Sequence, residues 1–163
     1  MNSTWSDFLS VLAEGSIALL ALLFVSFQIT RDRWIKEPMR KLIAVQTLLE
    51  FLVPAFFGIV ALLPTTPIIL KNMEISAWQI GGVFTSLLGI IVAIAVTRFA
   101  IKNKAQLTKF GKRQLNLQPM AIGEYLLLFI FSIAGSLVWS SVVLIWLLLS
   151  GSWETWEFFT ELE

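Results

Sequence analysis

Four long apolar stretches, separated by shorter polar segments, dominate the pattern of the chain. They cover residues 8–29, 42–63, 78–97 and 121–149. A bilayer core of about 30 Å is crossed by roughly 20 apolar residues in a helix. Backbone polar groups must be paired internally in lipid, which makes such segments helices. The pattern therefore predicts an all-α integral membrane protein in which residues 1–163 form one domain with four transmembrane helices.

Basic residues are concentrated in two of the polar segments. Two groups are present, Arg31, Arg33, Lys36, Arg40 and Lys41 in the first loop, and Arg98, Lys102, Lys104, Lys109, Lys112 and Arg113 in the third. The second loop contains only Lys71. By the positive-inside rule, loops one and three are cytoplasmic and both termini lie outside. We expect the inner (plasma) membrane of a bacterium, with anionic lipids bound at the basic cytoplasmic face.

The composition narrows the class of function. The chain is 57% hydrophobic and 14% charged, with a mean hydropathy of +0.81, whereas soluble domains average about 45–50% apolar and 25% charged residues. There is no His or Cys, and the net charge is +1. These values exclude a soluble enzyme and argue against a nucleic-acid partner. No catalytic motif is present, so we expect neither enzymatic activity nor a cofactor.

One acidic residue within the first span lies on a polar and small-residue stripe. Glu14 shares this helix face with residues at spacings of three and four, namely Asp7, Ser10, Ala18, Ala21, Val25 and Gln28. A charged carboxylate at mid-bilayer costs at least about 2.5–3.5 kcal/mol. The stripe is typical of a helix that lines a pore, and equally of one packed closely on a neighbour.

The second span carries a carboxylate and a proline together. Pro54 has no N–H for the carbonyl four residues earlier, which belongs to Glu50. The same position therefore offers a side-chain carboxylate and a freed backbone oxygen, with Gln46 one turn away. Hard cations bind such oxygen atoms. The alternative is a neutral glutamic acid, hydrogen-bonded across the bundle, beside an ordinary proline kink.

The last two spans suggest packing faces and an outer tail. Small residues repeat along one face of the third span and of the fourth, which predicts close helix contacts, and they include Gly82, Ser86, Gly89 and Ala93, then Ser132, Ser136 and Ser140. Glu124 fits the first turn of the fourth span as an interfacial cap. Residues 101–117 fit a short helix on the inner leaflet. Residues 150–163 fit an acidic, aromatic extension outside the membrane.

Two functions suit these features. The first is a small oligomeric channel or transporter for cations or protons, with Glu50 binding the ion, Glu14 at the outer constriction and Asp7 at the mouth, and with Pro54 and Gln46 supporting the site. Four helices are few for a pore, so we expect a homo-oligomer. The second is an assembly or regulatory subunit, whose glutamates bind a neighbouring helix or another membrane protein. A metal ligand set is not evident.

Overall fold

Helices make up most of the chain in a computed structural model, which describes residues 3–63, 68–70 and 73–160. The elements in order are α1 (Ser3–Ile29), α2 (Arg31–Trp34), α3 (Pro38–Leu62), β1 (Ile68–Leu70), β2 (Met73–Ile75), α4 (Ala77–Lys102), a 3-10 turn (Lys104–Gln106), α5 (Lys109–Ile133) and α6 (Leu137–Thr160). The two strands form an antiparallel hairpin, with Ile69 opposite Glu74.

Five of these helices, α1, α3, α4, α5 and α6, are long and apolar enough to cross a membrane. Large apolar side chains cover their outward surfaces, including Leu22, Phe84, Ile91 and Leu149. In a soluble protein such a surface would be an aggregation hazard, whereas in a bilayer it faces hydrocarbon. The structure therefore supports a helical membrane protein.

The predicted fourth span is two helices rather than one. α5 ends at Ile133, α6 begins at Leu137, and Gly135 between them has a φ of 69°. Glycine adopts this left-handed conformation without a Cβ clash. The turn contains no charge, so hydropathy runs through it without a break. The described part of the chain therefore has five helices long and apolar enough to cross a membrane where four spans were predicted, and α5–α6 is a helical hairpin.

The polar segment before this hairpin also differs from expectation. Thr108 Oγ1 accepts a hydrogen bond from the Gly111 N–H at 3.2 Å, which caps the start of α5. Residues from Lys109 onward therefore belong to a long helix, and Pro119 lies inside it. The separate helix expected within residues 101–117 is not formed. Pro38 occupies the first turn of α3, where a missing N–H costs no helical hydrogen bond.

Helix α6, the fifth of the long helices, brings the C-terminal part of the chain to the end of the bundle where the basic loops lie. Phe158 near the end of α6 contacts Phe27 near the end of α1, with ring centroids 5.0 Å apart. Arg40 in the first turn of α3 donates from Nη1 to the Phe158 carbonyl oxygen at 3.3 Å. The described ends of the chain thus lie at opposite ends of the bundle. This arrangement differs from the prediction that both termini lie on one side. Residues up to Thr160 belong to α6 and do not form a separate extension, and residues 161–163 lie outside the described residues.

Helix α3 is central and packs against α1, α4 and α6, while α5 packs against α4 and α6. Glycines set several of the close contacts. Gly58 of α3 faces Ala13 and the Leu9 carbonyl of α1, and Gly89 of α4 faces the ring of Tyr125 on α5. The packing face predicted for the third span is confirmed, because Gly82, Ser86, Gly89 and Ala93 are all buried. This packing leaves one side of α3 facing α6, close to α5.

Candidate functional site

Four glutamates are buried between α3, α5 and α6. They are Glu50 on α3, Glu124 on α5, and Glu154 and Glu157 on α6. Spacings of three and four residues place each on the inward face of its helix. Three buried glutamines, Gln46, Gln114 and Gln118, lie on the same faces of α3 and α5. Buried ionisable groups are rare in membrane helices, and by default they indicate function.

Glu50 is the central residue of the 25-residue helix α3 and is 1% exposed. Its Oε1 accepts a long hydrogen bond from Gln46 Nε2 at 3.4 Å. Its Oε2 has no hydrogen-bond partner among the described residues. Pro54 lies inside α3 and cannot donate to the Glu50 carbonyl. The side chain predicted to bind an ion is therefore buried at mid-helix, with one oxygen open to a further partner.

Glu124 and Trp146 connect α5 to α6. Trp146 Nε1 donates to Glu124 Oε1 at 2.7 Å, and Ser150 Oγ donates to Glu124 Oε2 at 3.1 Å. Glu124 was expected to cap a helix at the membrane interface. It lies instead well inside α5, because that helix begins at Lys109. Its two partners are one turn apart on α6.

Two further glutamates extend the polar groups toward the basic end of the bundle. Glu154 Oε2 accepts a hydrogen bond from Thr47 Oγ1 at 3.3 Å. Glu157, one turn later, forms an ion pair with Arg113 and accepts from Gln114 Nε2 at 3.5 Å. Hydrogen-bonding side chains therefore run from Arg113 at the basic end to Glu50 at the middle of the bundle.

Three members of this group lie at one cavity. Glu124 and Glu154 line it together with Glu50. The hydrogen bonds recorded to Glu50, Glu124 and Glu154 come from neutral donors. Carboxylates that share a site of low dielectric cannot all ionise unless a counter-charge is present. The arrangement can therefore exchange protons, or it can accept a cation.

A cavity of about 230 Å³ adjoins the glutamates between α5 and α6. Glu50, Glu124 and Glu154 contribute to its lining, together with Ser150, and its walls are Leu117, Met120, Ala121, Trp146, Leu149 and Trp153. In the described part of the chain, no group of three or more acidic side chains is arranged to hold a metal ion. The four buried glutamates are carried by three different helices, α3, α5 and α6.

The other candidate residues from the sequence lie elsewhere. Asp7 and Glu14 are exposed on the outward side of α1, and Glu14 Oε1 accepts a hydrogen bond from Ser10 Oγ at 3.0 Å. α1 packs antiparallel to α3, with Ala13 against Gly58, so Glu14 lies about two turns of α3 from the level of Glu50. The structure brings Gln46 and Pro54 together with Glu50, but not Glu14 or Asp7.

Sequence reasoning missed Glu154 and Glu157 because it placed them outside the membrane. The signal that could have found them is the run Gly151, Glu154 and Phe158, which continues the small and apolar inward face of α6. Gln114 and Gln118 were missed because the predicted fourth span began after them. Recognition of the turn at Gly135 would have divided this stretch into α5 and α6. The missed glutamines of α5 and the missed glutamates of α6 would then have been expected at the same end of the bundle.

Comparisons with known proteins leave the site to be interpreted from its own geometry. No family model matches the chain, and no curated protein or solved structure matches it either.

Proposed function

We propose that this chain is a membrane transporter or channel for protons or cations, and that Glu50, Glu124, Glu154 and Glu157 form its pathway. The observation that carries the proposal is Glu50, a carboxylate buried at the centre of α3 with an unpartnered oxygen beside a cavity. An isolated buried charge is strongly unfavourable without a counter-charge. A site that alternately holds and releases a proton or cation accounts for its presence.

The polar side chains supply a route between Glu50 and one end of the bundle. Two hydrogen-bonded pairs lie between Glu50 and Arg113, namely Thr47 with Glu154 and Gln114 with Glu157. Toward the other end, buried hydroxyls continue along the helices, at Tyr125, Ser132, Ser140 and Ser141. Their hydroxyl oxygens have no hydrogen-bond partner among the residues that the structure describes. A water molecule that enters could bridge such groups.

The positive-inside rule supports an orientation for this bundle. The basic end, which contains both basic loops, is placed in the cytoplasm. With five spans, the C-terminal end of α6 is then cytoplasmic and the start of α1 lies outside. The bacterial plasma membrane and the binding of anionic lipid at the basic end stay predictions.

A role as an assembly or regulatory subunit is the second candidate. The observation that favours it is Glu14, which is exposed on the outer side of an apolar helix. Exposure there leaves a carboxylate toward lipid unless another helix covers it. If a second copy of the chain covers Glu14, the protein is the expected homo-oligomer. If a different membrane protein covers it, the chain has the role of a subunit.

Flux into liposomes that contain only the purified protein tests the first candidate. Proton and alkali-cation flux should be measured for the wild type and for Glu50→Gln, which retains shape and removes the charge. Glu74→Gln is the matched control, because Glu74 is exposed on the β-hairpin. Flux that is lost in Glu50→Gln and kept in Glu74→Gln supports transport through the site. Equal flux in wild-type and empty liposomes, across several voltages and pH values, contradicts it.

A further inference from the structure

The mouth of the cavity lies on the outer surface of the bundle, between α5 and α6. Trp146 is 50% exposed and Trp153 is 59% exposed, and both line the cavity. Met120 and Leu149, on either side, are also exposed. All four are on helices long enough to span a membrane. The cavity therefore opens sideways, toward hydrocarbon, rather than toward either end of the bundle.

The inner end of the cavity has the opposite character. Glu50, Glu124 and Glu154 are buried there, and Glu50 Oε2 has no hydrogen-bond partner among the described residues. No Lys or Arg is among the described side chains that line the cavity. A ligand that carries positive charge would satisfy these carboxylates, whereas an anion would be repelled and a neutral apolar group would leave Glu50 unsatisfied.

The mouth and the inner end together define a ligand class. An inorganic cation keeps its hydration shell and therefore does not dissolve in hydrocarbon. An organic ammonium ion with an apolar substituent enters hydrocarbon more readily. Indole rings attract such cations, and Trp146 and Trp153 flank the entrance. At about 230 Å³, the cavity is smaller than the roughly 300–1,000 Å³ of sites for drug-sized ligands. The ligand is therefore small, about the size of one ring with an ammonium group.

We propose that this cavity binds a small organic ammonium ion, which enters from the bilayer between α5 and α6 and places its cationic group against Glu50 and Glu124. The proposal rests on the proposed transport function and names its substrate class. Trp146 Nε1 donates to Glu124, so the same indole both orients one carboxylate and forms part of the mouth.

Binding of radiolabelled benzyltrimethylammonium to the protein in nanodiscs tests the proposal. Phosphatidylglycerol nanodiscs suit the experiment because their lipid has no ammonium headgroup to occupy the site. Empty nanodiscs of the same lipid measure the nonspecific component. Neopentylbenzene, the uncharged molecule of the same shape, tests whether charge is required. We expect saturable binding that neopentylbenzene does not displace.

Two variants locate the binding. Glu50→Gln should weaken binding at least about tenfold, because it removes the negative charge that attracts the ammonium ion. Ala121→Leu should weaken it independently by filling the cavity, with Ala95→Leu, at an exposed position on α4, as the control for bulk. Each variant is first checked for a single symmetric peak in gel filtration. If Glu50→Gln does not pass, Ala121→Leu decides the result.

The possible outcomes separate this proposal from the transport proposal. Binding no greater than in empty nanodiscs, or binding that neither Glu50→Gln nor Ala121→Leu reduces, overturns the ammonium site even if inorganic cation or proton flux is found. Displacement by neopentylbenzene also overturns it, because the cavity would then be an ordinary apolar site. Saturable, charge-dependent binding without any flux supports the site and counts against transport.

Discussion

Gly151 of α6 lies against Glu50 of α3, and a Cβ at position 151 would stand 3.0 Å from Glu50 Oε2. The same Cβ would lie 3.1 Å from the Cβ of Glu50 and 3.2 Å from Cε2 of Phe51. These contacts are tight, and the second is to an atom attached directly to the backbone. Glycine at this position therefore lets α6 approach the central carboxylate, which positions Glu50 beside the cavity.

We predict that Gly151→Ala displaces the Glu50 carboxylate and lowers flux or ammonium binding severalfold. Overpacking of a core costs about 1–3 kcal/mol, and alanine in a helix regains roughly 0.5–1 kcal/mol over glycine. The net loss of unfolding free energy should therefore be modest, at about 0–2.5 kcal/mol, while flux or ammonium binding falls severalfold. Flux and thermal unfolding of the same preparation check this. Gly15→Ala, where nothing lies within 4 Å of the new Cβ, is the control, and equal behaviour of the two variants would refute the prediction.

A second prediction concerns the contact between α4 and α5. The ring of Tyr125, which is fully buried, lies directly over Gly89. Gly89→Ala should lower the free energy of unfolding by at least about 1–3 kcal/mol, because neither helix can move away without loss of packing. Thermal unfolding in detergent measures it. Addition of Tyr125→Leu should recover part of the loss, since contacting residues couple. Strictly additive changes in the free energy of unfolding would contradict the prediction, because they would show that the two residues are not coupled.

A third prediction concerns the ion pair between Arg113 and Glu157. The Glu157 side chain is 4% exposed and that of Arg113 is 52% exposed. Loss of one partner of a buried pair costs about 3–5 kcal/mol, and solvent screening at Arg113 reduces this to about 1–2 kcal/mol. We expect Arg113→Gln to be destabilising by that amount, as measured by chemical unfolding.

The double variant Arg113→Gln/Glu157→Gln should recover most of that stability, because it leaves no isolated carboxylate. Lys112→Gln, at an exposed neighbouring position, controls for the loss of a positive charge. A double variant no more stable than Arg113→Gln alone would show that the pair does not account for the effect.

A fourth prediction concerns topology. The chain contains no cysteine, so single cysteines can be introduced at the exposed positions Thr4, Ala105 and Thr160. Five spans place residues 105 and 160 on one side of the membrane and residue 4 on the other. A membrane-impermeant maleimide applied to sealed vesicles of known orientation should label Ala105→Cys and Thr160→Cys together. Labelling of Thr4→Cys and Thr160→Cys from the same side would favour the four-span arrangement.

The pattern of apolar residues was enough to identify the class of protein and three of its spans. Residues 8–29, 42–63 and 78–97 correspond to α1, α3 and α4. They could be told apart because a charged or proline-containing segment follows each of them. Glu50 could also be singled out, since a carboxylate in the middle of an apolar run is unfavourable whatever it packs against. The burial of the small-residue face of α4 followed from the same periodicity.

The apolar helices and the position of Glu50 in the middle of one of them could be predicted from the residues alone, because both depend on local composition. Which helix faces meet follows only from the packing of the bundle, where Glu50 lines a cavity with Glu124 and Glu154 whereas Glu14 faces outward. The turn at Gly135 reversed the chain without a polar break and brought the last helix back to the basic end. Hydropathy reports the preference of each residue for lipid, but the partners of a buried carboxylate depend on contacts between helices distant in the chain.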